Sequence, residues 1–237
     1  MSIDLDDERQ EQLNLKRSQS KGWRPEEGEK GSVIRILTFK HKVTKDDVEK
    51  GFFPKDKLGK EVERFDRKIT RQFGLTENNS PVFATADTLE LFTQAKSEGD
   101  EDRAKAIRPD SKWVVNIVDM NKPAEGVKTW LMPKSVRTAV SDLLTDEDWG
   151  PKILGVAGID LKVTFDPNAA PAQMYRVSPK PGEKSRKLAS SFQDKALDLF
   201  NPEVYASFAK DYEGAPAAAK SKSNGKKAVP AAKSAEA

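Results

Sequence analysis

The stretch from Ile107 to Leu144, IRPDSKWVVNIVDMNKPAEGVKTWLMPKSVRTAVSDLL, constrains the chain more than any other, because it reads as strand, turn, strand and helix in unbroken succession. In WVVNIVD, Trp113, Val115 and Ile117 share one face while Val114, Asn116 and Val118 share the other, the period-two pattern of a strand rich in β-branched residues. A strand this apolar is buried on at least one side. The connector MNKPAEG holds Pro123 and Gly126 and predicts a reversal. In the VKTWLM that follows, Val127, Thr129 and Leu131 oppose Lys128, Trp130 and Met132. If Val127 and Leu131 line the interior, Trp130 stands on an outer wall beside a cation; the reverse arrangement makes it core. Pro133 then opens a helix in which Val136, Ala139, Val140, Leu143 and Leu144 form an apolar stripe. A hairpin capped by such a helix is a unit of a small β-barrel.

At 237 residues the chain has room for one good core with tails. No run of about eighteen apolar residues could span a bilayer, and the opening MSIDLDDERQEQ is acidic where a signal peptide is apolar, so a soluble, non-exported protein is expected. There is no cysteine and a single histidine, His41, which excludes disulfides, thiolate nucleophiles and multi-histidine metal sites. The 41 basic and 38 acidic residues nearly cancel to +3, so charge carries meaning only where it is concentrated.

In chain order, residues 1–22 read as a polar arm, and SVIRILTF as the first strand, with Arg35 set between the apolar residues Val33 and Leu37 on its face. Such an arginine either snorkels at a rim, in a structural role, or lies in a binding groove. From Arg35 to Arg71 there are twelve Lys or Arg against seven Asp or Glu. Phe52, Phe53, Phe65 and Phe73 are interleaved with Lys55, Lys57, Lys60, Arg64, Arg67, Lys68 and Arg71, the mixture with which a nucleic-acid groove tracks phosphates and stacks on bases. The competing reading makes the rings core and the charges a solvated face. TADTLELFTQAKSEG predicts a helix capped near Thr85 or Asp87 and closed by Gly99, and GDEDRAKA a charged link. GIDLKVTFDP and AQMYRVSPKP read as two further strands, giving at least five with one internal helix. Ser190 and Gln193 suggest a capping box before FQDKALDLF, and Pro202 opens a second helical segment that places Val204, Tyr205, Phe208 and Tyr212 together. After Gly214 the chain is too poor in large apolar groups to fold, and reads as a disordered basic tail.

No Gly-rich phosphate loop or GxGxxG is present, and GEKGS at residues 28–32 lacks the P-loop spacing. His41, in FKHKV, has no obvious carboxylate partner for a catalytic triad. Acidic clusters at Asp46 and Asp47, at Asp100 to Asp102 and at Asp146 to Asp148 fall in predicted loops or turns; in principle they could serve a metal-dependent nuclease.

The order WRPEEG, VIRIL, a cationic insert, WVVNIVD, GVKTWLMPKSV, GIDLKVTF and MYRVSPKP resembles the phage single-stranded DNA-binding proteins of the T-even helix-destabilising type, over roughly residues 15 to 200. The resemblance implies an oligonucleotide/oligosaccharide-binding (OB) fold that grips single-stranded DNA in a basic, aromatic cleft. It also likens KRSQSK, Lys16 to Lys21, to that family's motif for cooperative self-association. Two features depart from the family. Many relatives hold a zinc in the region corresponding to about residues 60–95, and without cysteine no zinc is expected here. The family's tail is acidic, whereas this one carries Lys220, Lys222, Lys226, Lys227 and Lys233 against Glu236 and is better suited to adding non-specific DNA affinity.

The expected architecture is mainly β with helical additions: a five-stranded OB barrel over residues 23–188 with an insert at about 41–106, C-terminal amphipathic helices over 189–213, and a basic tail over 214–237. The expected function is non-enzymatic, sequence-tolerant single-stranded DNA binding in phage replication and recombination, in the host bacterial cytoplasm and without a cofactor. Trp113, Trp130 and Tyr175 are the candidate stacking residues, with a core role open for either tryptophan. Arg35, Lys68, Arg71, Lys112, Lys128, Lys134, Arg176 and Lys180 are the candidate phosphate contacts. Two rivals stand beside this reading: the nuclease, and a replisome interaction protein that docks phage or host replication proteins through Phe192 to Tyr212.

Overall fold

A computed structural model describes residues 22–170, 173–180 and 188–211. The KRSQSK motif, the basic tail and Tyr212 lie outside the described residues. The strands are β1 (Gly28–Leu37), β2 (Phe39–Lys42), β3 (Glu61–Arg64), β4 (Asp66–Gln72), β5 (Val82–Phe83), β6 (Asp110–Asp119), β7 (Val127–Met132), β8 (Leu161–Phe165) and β9 (Tyr175–Pro179). The helices are α1 (Lys45–Glu49), α2 (Ala86–Ser97), α3 (Glu101–Ala106), α4 (Lys134–Thr145), α5 (Ser191–Asp194) and α6 (Pro202–Tyr205).

Seven strands form one antiparallel sheet in the order β5-β4-β6-β1-β8-β9, with β7 also paired to β6; β2 and β3 form a separate hairpin. The central strand is β6, as its uninterrupted apolar pattern requires. Its first half pairs with β4, from Asp110 to Val115, its last residues pair with β1, from Asn116 to Asp119, and β7 runs beside Trp113 to Val118. Among the described residues no strand joins β9 to β5, whose outer side carries only the isolated Val82–Lys210 bridge, so the sheet does not close into a barrel. α4 packs on both β6 and β9, and Trp23 donates its backbone N–H to Thr129 O (2.9 Å) at β7. The segment expected to be an insert supplies β4 and β5 to this main sheet.

Both faces of the sheet are covered around its central strand, β6. On one, Ile34, Ile36, Val115, Ile117, Leu161 and Val163 meet Trp23, Trp130 and the Val136 and Val140 stripe of α4. On the other, Val114 and Ile69 meet Phe39 and Phe53 near the β2–β3 hairpin, and Leu199, Phe200 and Phe208 from the C-terminal segment. Each fully buried large apolar side chain contributes about 1.5–3 kcal/mol.

Local signals explain several boundaries. Thr85 caps α2 in a reciprocal box with Thr88, and Gly99 follows at φ +72°, a conformation glycine adopts without strain. GDEDRAKA, expected to be a link, is the helix α3, because the Asp100 side chain accepts the Arg103 N–H at its start. The two C-terminal helices shrink to single turns. Ser190 makes no side-chain cap there, and Gln193 instead donates to the Thr38 carbonyl (2.5 Å). The segment is held by tertiary contacts in place of its own helical bonds.

Candidate nucleic-acid interface

The register of β4 on β6 sets Lys68 directly opposite Trp113, with Met132 of β7 opposite Trp113 on its other side. Residues paired this way share a face, and Lys68 Nζ stands 5.8 Å from the Trp113 ring centroid. Lys68 is exposed, and Trp113 is half-buried at the margin of the inner core.

Two residues along β4, Asp66 organises a second cation–aromatic pair. Its carboxylate, 4% exposed, accepts from Arg137 Nε of α4 and lies 3.6 Å from Arg64 Nη2. The Arg137 guanidinium sits 4.9 Å from the Phe65 ring centroid. Lys134, one helical turn before Arg137, is exposed. Arg64 and Arg137 thus share one buried carboxylate beside Phe65, and Lys68 stands over Trp113 two residues further along β4. Arg64 and Phe65 also line the end of a groove of about 1020 Å³ that runs past Lys40, Gly155 and Gln193. Glu63, Asp194 and Asp198 line the same groove, so three carboxylates face its two cations, Lys40 and Arg64.

The predicted residues divide among several places. Lys68 and Trp113 come together as described, and Lys134 is exposed at the start of α4. Arg71 and Lys112 share Asp110, at 3.5 and 3.0 Å, at the far end of β4 and β6. Burial pushes the Arg71 guanidinium below its usual range, against the opposing pull of the Asp110 carboxylate. Lys128 pairs with Glu125 at the β6–β7 turn. Tyr175 stacks on Phe165 with centroids 4.8 Å apart, and burial raises its phenol above the usual value, with Arg24 acting in the opposite sense. Arg176 and Lys180 are exposed on β9 and just after it.

Two predicted contacts are corrected. Arg35 is 1% exposed: its Nε and Nη2 donate to Asp160 Oδ1 (2.9 and 2.6 Å) and its Nη1 to Val156 O (2.8 Å), so it is a structural cation. Trp130 is 2% exposed and meets Trp23 edge-on at 5.2 Å, so the Lys128, Trp130 and Met132 face turns inward at its two large residues. The indole N–H of Trp23 reaches Asp119 Oδ2 (2.9 Å). Arg137 was missed by sequence reading. Its signal is its place at the edge of the apolar stripe of α4, three residues before Val140 and seven before Leu144.

His41 is 5% exposed and does have carboxylate partners, Asp47 and Asp198, while its ring lies against Phe53 and Phe200. The acidic clusters serve local structure. Asp47 completes the cap of α1, Asp100 caps α3, and Asp146 accepts the N–H groups of Asp148 and Trp149. Among the described residues no group of three or more His, Cys, Asp or Glu is placed to hold a metal ion. The apolar residues Leu199, Phe200 and Phe208 of the C-terminal segment are buried against the chain's own sheet. Arg67 lies beneath them, donating to Leu199 O (2.9 Å) between the rings of Phe52 and Phe200. No helix among the described residues is long and apolar enough to cross a membrane.

No known protein-family model matches the chain, and a search of curated proteins finds no match to it.

Proposed function

We propose that this chain is a non-enzymatic, sequence-tolerant single-stranded DNA-binding protein, of the phage helix-destabilising kind that its sequence blocks resemble, acting in replication and recombination in the host cytoplasm. The observation that carries the reading is the Lys68–Trp113 pair, with Arg64 and Arg137 on the Asp66 carboxylate two residues along β4. Aromatic faces accept any base and cations accept any phosphate, so such a surface binds strands without reading sequence; each stacked base contributes about 1–3 kcal/mol. The OB assignment is part of the same proposal. An OB barrel is itself partly open, and a long strand shared between two neighbours on one edge, as β6 is, suits that geometry.

Titrating the protein with oligothymidylate tests the reading. Indole fluorescence should be quenched, and affinity should fall with salt at a slope of about −0.7 per phosphate contact. Lys68→Ala and Lys134→Ala should each flatten the slope by roughly that amount. Absence of binding at low salt, or degradation of the strand in Mg²⁺, would overturn it.

A further inference from the structure

The β8–β9 hairpin carries a second cationic surface on the side of the sheet away from the inner core. Leu161 and Val163 point into that core, so Lys162 and Thr164 face outward, and the register places Ser178 and Arg176 directly opposite them. Lys180 continues the same alternation two residues past Ser178, with its backbone N–H on Asp160 O (2.8 Å). None of Lys162, Arg176 and Lys180 has an acidic partner among the described residues. Lys162 and Arg176 border an open groove of about 680 Å³, to which Phe165 and Met174 also contribute, and Lys180 lies beyond its lining. Asp166 also lines it, with one carboxylate oxygen taken by the Asn168 N–H (2.9 Å).

We infer that this outer face is a second phosphate track for the same single strand, separate from the Lys68–Trp113 surface and engaged only by strands long enough to pass from one side of the sheet to the other. The inference rests on the single-stranded DNA reading. Three cations without acidic partners at alternating strand positions, spread over about 13 Å from Arg176 to Lys180, suit a run of phosphates. Thr164 and Ser178 between them offer neutral donors to phosphate oxygens. The stacked Phe165–Tyr175 pair lies at the end of the hairpin, where Phe165 borders this groove and Tyr175 packs at the margin of the inner core.

The experiment compares the wild-type protein with the variant Lys162→Ala, Arg176→Ala, Lys180→Ala on oligothymidylates of about 6 and about 30 nucleotides. The expected result is unchanged affinity for the short strand. For the long strand, affinity should fall about tenfold or more at low salt and the salt slope should flatten by about 2, three contacts at 0.7 each. Equal effects on both lengths, or none on either, overturn the second track while leaving the first surface standing. A wild-type protein that binds neither strand removes the single-stranded DNA reading and this inference with it. Melting temperatures are measured alongside. Should the triple variant be destabilised, Arg176→Ala alone, at an exposed position, is held to the same criterion with a slope change of about 0.7.

Discussion

His41 Nδ1 lies 2.9 Å from Asp198 Oδ2, joining β2 to a carboxylate 157 positions further along the chain. The other ring nitrogen faces Asp47 Oδ2 at 3.0 Å, and only the imidazolium can donate from both nitrogens. Replacing His41 with Ala therefore strips two carboxylates of a shared partner and opens a hole between Phe53 and Phe200. The expected loss is about 2–3 kcal/mol, below the full cost of breaking a buried pair because Asp198 is partly exposed. Urea unfolding of His41→Ala beside the wild type measures it.

Asp47 sets an acid limit on the same cluster. Burial alone would raise its carboxyl, but hydrogen bonds from the Thr44 hydroxyl and backbone N–H, with one from His41 and the attraction of that ring, hold it below its ordinary 3.8. A carboxyl depressed in the folded state gives its full contribution above that ordinary value and loses it as pH falls through the folded one. Melting temperature should therefore decline as pH drops below 3.8, and Asp47→Asn should flatten that limb. A variant that melts with the wild-type pH profile would remove Asp47 from the account.

The two central tryptophans should separate cleanly. Trp130→Ala hollows the inner core and should cost about 3–5 kcal/mol of stability. Trp113→Ala, at a half-exposed position, should cost less stability and weaken oligothymidylate binding by about 1–3 kcal/mol. Denaturation and fluorescence titration on both variants check the contrast; equal affinity in Trp113→Ala and wild type would remove that residue from the interface.

Arg35 and Asp160 form the deepest ion pair described. Arg35→Ala leaves a buried carboxylate alone and should cost about 3–5 kcal/mol, whereas the paired change Arg35→Met with Asp160→Leu should come close to wild-type stability. A double-mutant cycle by chemical denaturation reads the difference, and single and double variants of equal stability would contradict it.

What the sequence made legible was local. The alternation in WVVNIVD and VKTWLM, the stripe of α4 and the Thr85 cap each depend on neighbours within a few positions, and each appears in the fold. The inward turn of Trp130 was not legible, because alternation separates two faces without ranking them, and here both faces of the sheet are covered around β6. Arg35 resembled a groove cation because its partner is 125 positions away, and His41 looked unpartnered for the same reason. At the candidate interface, Lys68 and Trp113 were each visible as a residue type, but only the register of β4 on β6 joins them.

The contacts that cover Arg67 and Arg71 have a temporal side. Their carbonyl partners, Leu199 and Phe208, come 132 and 137 positions later in the chain. At a synthesis rate of about 5–20 residues per second, a nascent chain waits roughly 7–26 s between making Arg67 and making the segment that covers it. Once β4 has paired with β6, a sheet face bearing two arginines among phenylalanines is open to the polyanions around a ribosome until Leu199 and Phe208 arrive, so that segment completes the fold and also ends the exposure.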